Sequence, residues 1–261
     1  MSFAGILLVT GVVIGVGMWR GSWGTLPMTD QQISTGLRAE DPKLLERSLG
    51  AVGERMRLNR PAERWFADVV SLSKHGDQQV RARAAWVMGL TTSRDDFRAA
   101  LLSMLNDDAR DVRGQAGVSL AANGSRAGHA QIVEMLRPLK VPAPTSGEVV
   151  HTRRAGDVQF GTVILGLRSG SSTTEVRSPI AGVIGKVLVA NGDAVSAGVP
   201  VAVMYPSPEH AWSALHALET IGELPDLDVV KPYQGELPGM PQNVVDEAYA
   251  AERAIHQHSN M

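Results

Sequence analysis

The stretch Ser178-Pro-Ile-Ala-Gly182, followed by Asn191-Gly-Asp193 and Ala197-Gly198, decides the fold of the central part of this chain. An earlier copy of the pattern runs from Pro144-Thr-Ser-Gly147 to Ala155-Gly-Asp157. In each copy a Pro-x-x-Gly turn opens a strand, and a Gly-Asp turn closes the next one. Glycine adopts the positive φ angles of tight turns without steric cost. The sequence therefore predicts short strands joined by tight turns, arranged in two related halves.

The duplicated pattern over residues 141–206 resembles the barrel-sandwich hybrid of lipoyl and biotinyl carrier domains, and of HlyD-type periplasmic adaptor proteins. In carrier domains the resemblance implies a modified lysine in the hairpin between the halves, eight residues before Pro179. That position is Ser171, and residues 168–174 contain no lysine. Neither a serine hydroxyl nor the guanidinium of Arg168 forms an amide-linked prosthetic arm at neutral pH. We therefore expect an unmodified domain that binds no cofactor.

Outside this region, similar phrases return at helical spacing. Residues 77–89 are echoed by residues 109–121, 32 positions later, and residues 41–53 fit the same frame. A helix pair of this period cannot bury its apolar face alone, so neighbouring pairs stack into one continuous core. The alternation resembles the HEAT repeat family, with Asp-x-x-Val-Arg-x-x-Ala-Ala as the best-matching phrase.

The chain is accordingly predicted to be an α+β multidomain protein. We expect an N-terminal transmembrane helix, a helical HEAT-type solenoid, and an all-β barrel-sandwich hybrid inserted before a final helix pair. The sequence leaves open whether the β domain interrupts the repeat array or is appended to its end. The expected boundaries are 1–24 for the anchor, 28–140 for the repeats, 141–206 for the β domain, 207–232 for a further HEAT-like helix pair, and 233–261 for a loop and C-terminal helix or tail.

The uncharged run from Phe3 to Trp19 is at the short end of what spans a bilayer. A cleaved signal peptide is the alternative, but the run lacks a basic n-region and an Ala-x-Ala-like site. We expect a single-pass protein of the bacterial inner membrane, with the side of its soluble bulk left open.

Composition excludes several kinds of chemistry. The chain has no cysteine, which removes disulfides and thiolate catalysis. Residues 209–253 carry 2 Lys+Arg against 9 Asp+Glu, and no basic stripe suggests nucleic-acid binding. The pair His256 and His258 is interpreted as part of a terminal tail, so no metal site is predicted. Nucleotide-binding and Gly-x-Ser-x-Gly motifs are absent, and we expect neither an enzyme nor a small-molecule substrate.

The interpretation that follows is a non-enzymatic, membrane-anchored scaffold or accessory subunit that binds a protein partner, most plausibly a membrane complex. A periplasmic adaptor of an export system is the alternative. The pattern leaves two roles open for the repeat arginines, contact with a partner or ladders between neighbouring repeats. The candidate interaction residues are Arg81, Arg83, Arg110, Arg113 and Arg168.

Overall fold

The computed structural model describes residues 27–91, 94–235, 237 and 239–259. The expected anchor at residues 1–24, with its apolar run from Phe3 to Trp19, lies outside the described residues. Among the helices that are described, none is both long enough and apolar enough to cross a bilayer.

The described part of the chain contains ten α-helices on the two sides of a β region. They are α1 (Asp30–Gly36), α2 (Pro42–Arg57), α3 (Phe66–Leu72), α4 (Gln78–Met88), α5 (Asp95–Met104), α6 (Arg110–Ala121), α7 (His129–Leu136), α8 (Pro208–Ile221), α9 (Leu227–Val230) and α10 (Gln242–Ser259).

Local sequence explains where several helices begin. The side chains of Thr29, Asp41, Asp77 and Ser207 accept hydrogen bonds from backbone N–H groups in the first turns of α1, α2, α4 and α8. These caps satisfy N–H groups that have no partner inside the helix. The first residue of α2 and of α8 is proline, which has no N–H to satisfy there.

The helices before the β region form two layers. Helices α2, α4 and α6 pack side by side, while α1, α3, α5 and α7 each pack on a neighbouring helix of that row. One apolar core runs from Ile33 in α1 to Leu120 in α6. Stacked helix pairs produce this arrangement. The HEAT-type assignment of these helices stays a prediction.

The β region forms two four-stranded antiparallel sheets. Its first strand begins at Leu139, two residues before the expected boundary. The strands are β1 (Leu139–Pro142), β2 (Gly147–Thr152), β3 (Gly156–Val158), β4 (Val163–Ser169), β5 (Ser172–Arg177), β6 (Gly182–Val187), β7 (Ala194–Val195) and β8 (Pro200–Pro206).

The duplication seen in the sequence reappears as a relation between the sheets. One sheet has the order β1-β8-β6-β3 and the other β5-β4-β2-β7. Exchanging each strand with its counterpart in the other half, β1 with β5, β2 with β6, β3 with β7 and β4 with β8, converts the first order into the second. Each sheet therefore contains strands from both halves, and their inner faces share one apolar core.

Glycine is required at two positions of the decisive stretch. A Cβ on Gly182 would collide with the backbone oxygen of Tyr205 on the neighbouring strand. Gly192 has a φ of 93°, which other residues rarely adopt. The two glycines thus permit close strand pairing and a tight turn.

Short connections on both sides attach the β domain to the helices. Only residues 137–138 separate α7 from β1, and only Ser207 separates β8 from α8. The entering and leaving strands pair directly, with Leu139 opposite Met204. The domain is therefore held by two adjacent strands, without a long linker on either side.

The helices that follow the β domain pack against those that precede it. Helix α8 contacts α7 and α6, and α10 packs along α8. These helices share an apolar cluster that includes Leu136, Leu215 and Ile255. The hydroxyl of Tyr233 donates to the carbonyl of Leu136 at 2.8 Å, and His129 Nε2 lies 2.7 Å from Asp226 Oδ2. The β domain thus interrupts an array whose helices are continuous in space.

The buried hydroxyl of Tyr233 provides a test of this continuity. Tyr233→Phe leaves the Leu136 carbonyl without its donor, so we expect the free energy of unfolding to fall by about 1 to 2 kcal/mol. The matched control is Tyr249→Phe, because Tyr249 is exposed and its hydroxyl lies 3.5 Å from its acceptor. Urea denaturation followed by tryptophan fluorescence measures both changes. Equal stability of the two variants would contradict the packing described.

Candidate functional site

The hairpin between the two halves of the β domain places Ser171 at its tip. Strands β4 and β5 pair until Ser169 faces Ser172, so Gly170 and Ser171 form a two-residue turn. Gly170 has a φ of 60°, as the first residue of a type II′ hairpin turn requires. Every residue from Arg168 to Glu175 is exposed. The expected carrier position is therefore a solvent-facing turn that presents a hydroxyl.

Both lysines of the β domain lie away from this turn. Lys140 on β1 and Lys186 on β6 both pair with Val203, from opposite sides of β8. They lie within paired strands of the sheet that does not contain the hairpin. Neither side chain therefore replaces the amine that is missing at the tip.

Arg168 stands at the base of the tip and pairs across the strands with Glu148. Its Nη2 atom lies 2.8 Å from Glu148 Oε1, and the two side chains are 51% and 48% exposed. The residues are directly opposite each other on β4 and β2. A pair this exposed contributes little to stability and leaves the guanidinium accessible to a partner.

Arg81 makes a buried contact between helix pairs. It donates to both carboxylate oxygens of Asp107, at 2.7 and 2.8 Å, and the two side chains are only 15% and 12% exposed. Its third nitrogen donates to the backbone carbonyls of His75 and Gly76. The guanidinium therefore joins the turn between α3 and α4 to the turn between α5 and α6.

Arg113 repeats this pattern 32 residues later. Its Nη1 atom donates to the carbonyls of Asp107 and Asp108, and its Nη2 atom donates to Glu134 at 2.6 Å. In both cases the acceptors are the carbonyls six and five residues earlier and a carboxylate later in the chain, 26 residues on for Arg81 and 21 residues on for Arg113. These contacts form a ladder of arginines within the helical array, and contact of these arginines with a partner stays a prediction.

The other two repeat arginines are also engaged. Arg110 donates to the carbonyls of Glu134 and Arg137 at the end of α7, and burial lowers its pKa. The guanidinium of Arg83 lies over the indole of Trp86, and burial lowers its pKa while the nearby carboxylate of Glu46 opposes that change. None of the four repeat arginines is thus an isolated surface cation.

The Arg81–Asp107 contact shifts the pKa of both side chains. Burial alone would raise the pKa of Asp107, but hydrogen bonds from Arg81 and from the Ala109 N–H bring it below its ordinary value. The same hydrogen bond raises the pKa of Arg81. Folding therefore favours the charged pair, and its contribution is present above the unfolded pKa of Asp107 and lost as pH falls through the folded one.

One cluster of titratable side chains was not anticipated from the sequence. His216 and Glu219 on α8 meet Glu247 on α10, and the ligand atoms of the three lie within 4.8 Å of one another. Burial and the neighbouring Glu247 carboxylate raise the pKa of Glu219 to about 7. The His-x-x-Glu spacing on one helix was a usable signal, but its third member is 28 residues further along the chain.

Breaking the ladder is expected to destabilise the chain. Arg81→Gln leaves the Asp107 carboxylate partly buried without its cation, so the free energy of unfolding should fall by about 2 kcal/mol at pH 7. The difference from the unmodified chain should shrink as pH falls below about 4, the ordinary pKa of an aspartate, and through the lower pKa of the folded Asp107. Urea denaturation at the two pH values measures both effects.

The control for this change is Arg168→Gln, whose partner Glu148 is half exposed. We expect a loss below about 0.5 kcal/mol. Arg81→Gln and Arg168→Gln of equal cost would contradict a structural role for the buried pair.

Comparison with known proteins covers the β domain. Residues 138–204 match the model of the biotin–lipoyl family, described as a biotin-requiring enzyme. No curated protein matches the chain. Twelve solved chains match. One is a single-chain, multi-domain long-chain acyl-CoA carboxylase, with 24% identity over 27% of this chain and a TM-score of 0.26.

The chain spans only 7% of that carboxylase. The family match covers the strands from β1 to within β8, together with the hairpin that carries Ser171. The chain therefore contains a lipoyl- or biotinyl-type domain within a structure of mixed helices and sheets.

Proposed function

We propose that this protein is a non-catalytic accessory subunit or scaffold of a larger complex, and that its lipoyl-like domain works unmodified as a binding module. The partner is a protein that belongs to a membrane complex, and this complex includes an enzyme. HEAT-type repeats provide the body on which the module is mounted.

The attachment of the β domain is the observation that carries this proposal. A carrier domain delivers a covalently bound group between sites, which requires both an amine for attachment and freedom to move. Here the hairpin offers Ser171, and the domain is joined to α7 and α8 through two residues and one residue. Connections this short restrict the position of the hairpin tip relative to the helices. This suits a domain that recognises a partner in place and not one that carries a bound group between sites.

The tip is the surface that this proposal assigns to the partner. Residues 168–175 are exposed and rich in hydroxyl groups, with Arg168 and Glu175 as charged flanks. A short, exposed hairpin of this kind can dock in a groove with little loss of backbone entropy, because the two strands already fix its conformation. Arg81 and Arg113, by contrast, donate their hydrogen bonds to acceptors within the helical array.

The proposal keeps the membrane anchor at Phe3–Trp19 and the inner-membrane location. The length and uncharged character of that run support it. In this arrangement the helices and the lipoyl-like module lie on the same side of the bilayer as the part of the membrane complex that the module binds.

The periplasmic adaptor alternative has less support. In adaptor proteins of the HlyD type a long coiled-coil hairpin usually separates the two halves of the barrel-sandwich hybrid. In this chain the halves are joined through a two-residue turn at Gly170 and Ser171. A turn of this size offers no helical extension for docking to an outer-membrane channel.

The absence of modification is directly testable. Intact-mass spectrometry of the protein purified from its native host should give the mass of the polypeptide alone, without a biotinyl or lipoyl adduct. The control is a carrier domain from the same extract that does bear its adduct, which shows that the attaching enzyme is active. An adduct on Lys140, Lys186 or any other lysine would contradict the proposal.

The partner surface is testable by photo-cross-linking. A photoreactive amino acid in place of Ser171 should give one dominant cross-linked partner in intact cells, recovered with the membrane fraction. The matched control is the same replacement of Asn191, an exposed turn residue elsewhere in the β domain.

Comparing cross-linking from Ser171 with cross-linking from Asn191 distinguishes a specific contact at the tip from random collision. Mass spectrometry of the cross-linked band identifies the partner and the process it serves. Equal labelling from Ser171 and Asn191, or labelling from neither, would overturn the assignment of the tip as the contact surface.

A further inference from the structure

The side chains of His216, Glu219 and Glu247 converge between the helices that follow the β domain. Nδ1 of His216 lies 2.6 Å from Oε1 of Glu247 and 3.6 Å from Oε2 of Glu219. The three side chains are 33%, 28% and 14% exposed. The cluster is therefore largely shielded by protein but remains open to solvent on one side.

The imidazole is held in a fixed plane. Trp212 lies one turn earlier on α8, and its ring stacks on that of His216 with centroids 4.8 Å apart and planes 12° from parallel. This stacking limits rotation of the imidazole, so Nδ1 faces the two carboxylates. A pre-oriented nitrogen donor loses little entropy when it binds a ligand.

The two carboxylates are also close together, because their ligand oxygens lie within 4.8 Å of each other and of the imidazole nitrogen. Two carboxylates in this position need a proton or a cation between them, because their charges repel. Besides His216, the positive charge of Arg253, on the same helix as Glu247, acts on Glu219.

From this geometry we propose that His216, Glu219 and Glu247 form a binding site for a divalent transition-metal ion, with Zn²⁺ as the best match. One imidazole nitrogen and two carboxylate oxygens are ligands of zinc, at about 2.0 to 2.2 Å. Those bond lengths place tetrahedral ligand atoms about 3.4 Å apart. The present separations, from 2.6 Å to within 4.8 Å, bracket that value, so small rotamer changes suffice.

The site joins two helices that are distant in sequence. A His-x-x-Glu pair on α8 faces a glutamate on α10, which resembles the way helix bundles build metal sites from inward-facing i, i+3 pairs. A water molecule completes the coordination on the open side. The bound ion clamps the last helix of the chain onto the array.

Zinc binding by the full chain in mild detergent tests this proposal. Isothermal titration with Zn²⁺, with the bound metal quantified by mass spectrometry, should give one ion per chain. Glu219→Gln resembles the protonated carboxyl and keeps its packing, so it should fold normally and weaken zinc binding by more than about tenfold. Glu247→Gln should have the same effect.

The control is the double variant His256→Ala/His258→Ala, which removes the histidines at the end of α10. It should retain the single ion with unchanged affinity. Binding lost in this variant but kept in Glu219→Gln would overturn the site, as would the absence of stoichiometric zinc in the unmodified chain. The unfolding midpoint should rise with Zn²⁺ in the unmodified chain and not in Glu219→Gln. Neither result depends on the partner proposed above.

Discussion

The pairing of β1 with β8 is the constraint on which the rest of the structure depends. Leu139 and Met204 are 65 positions apart in the chain, yet they face each other as neighbouring residues of one antiparallel ladder. Adjacent strands lie about 5 Å apart. The chain therefore leaves the helical array and returns to it at nearly the same place, so α8 can pack where the array stopped at α7. Without this ladder, the apolar faces of α7 and α8 would have to find each other across a long and flexible insertion.

This return explains how the cores are divided. The first helices share one apolar core, the two sheets share another, and the third is built jointly by α6, α7, α8 and α10 from both sides of the insertion. The polar contacts of that third core also cross the insertion, since Tyr233 bonds to Leu136 and His129 to Asp226. Asp226 is buried and also accepts from the Glu223 N–H, so its position is fixed from two directions. The last helices are thus integral to the array.

Local chemistry made the β domain predictable from sequence. Close strand pairing requires glycine at position 182 and a tight turn requires it at position 192, and such requirements leave a repeated pattern that is recognisable in the sequence. The resemblance to carrier domains, counted back from Pro179, then identified Ser171 as the residue at the carrier position. The contacts of Arg81 and Arg113 were harder to predict from sequence. The carboxylate partner of Arg81 is 26 residues away, and a surface role fits the same sequence pattern. The cluster of His216 with Glu247 depends entirely on how α10 packs on α8, and periodicity within one helix does not specify that.

The same constraint bears on the proposal that this domain is not a carrier, because a carrier domain must move between sites. Here those strands continue almost directly into α7 and α8, whose faces are buried in a common core. The two connections are short and lie side by side, so the domain can move only where residues 137–138 and Ser207 bend together. We therefore propose that a lysine at position 171 would still not make this domain a freely swinging arm, because the attachment limits its mobility.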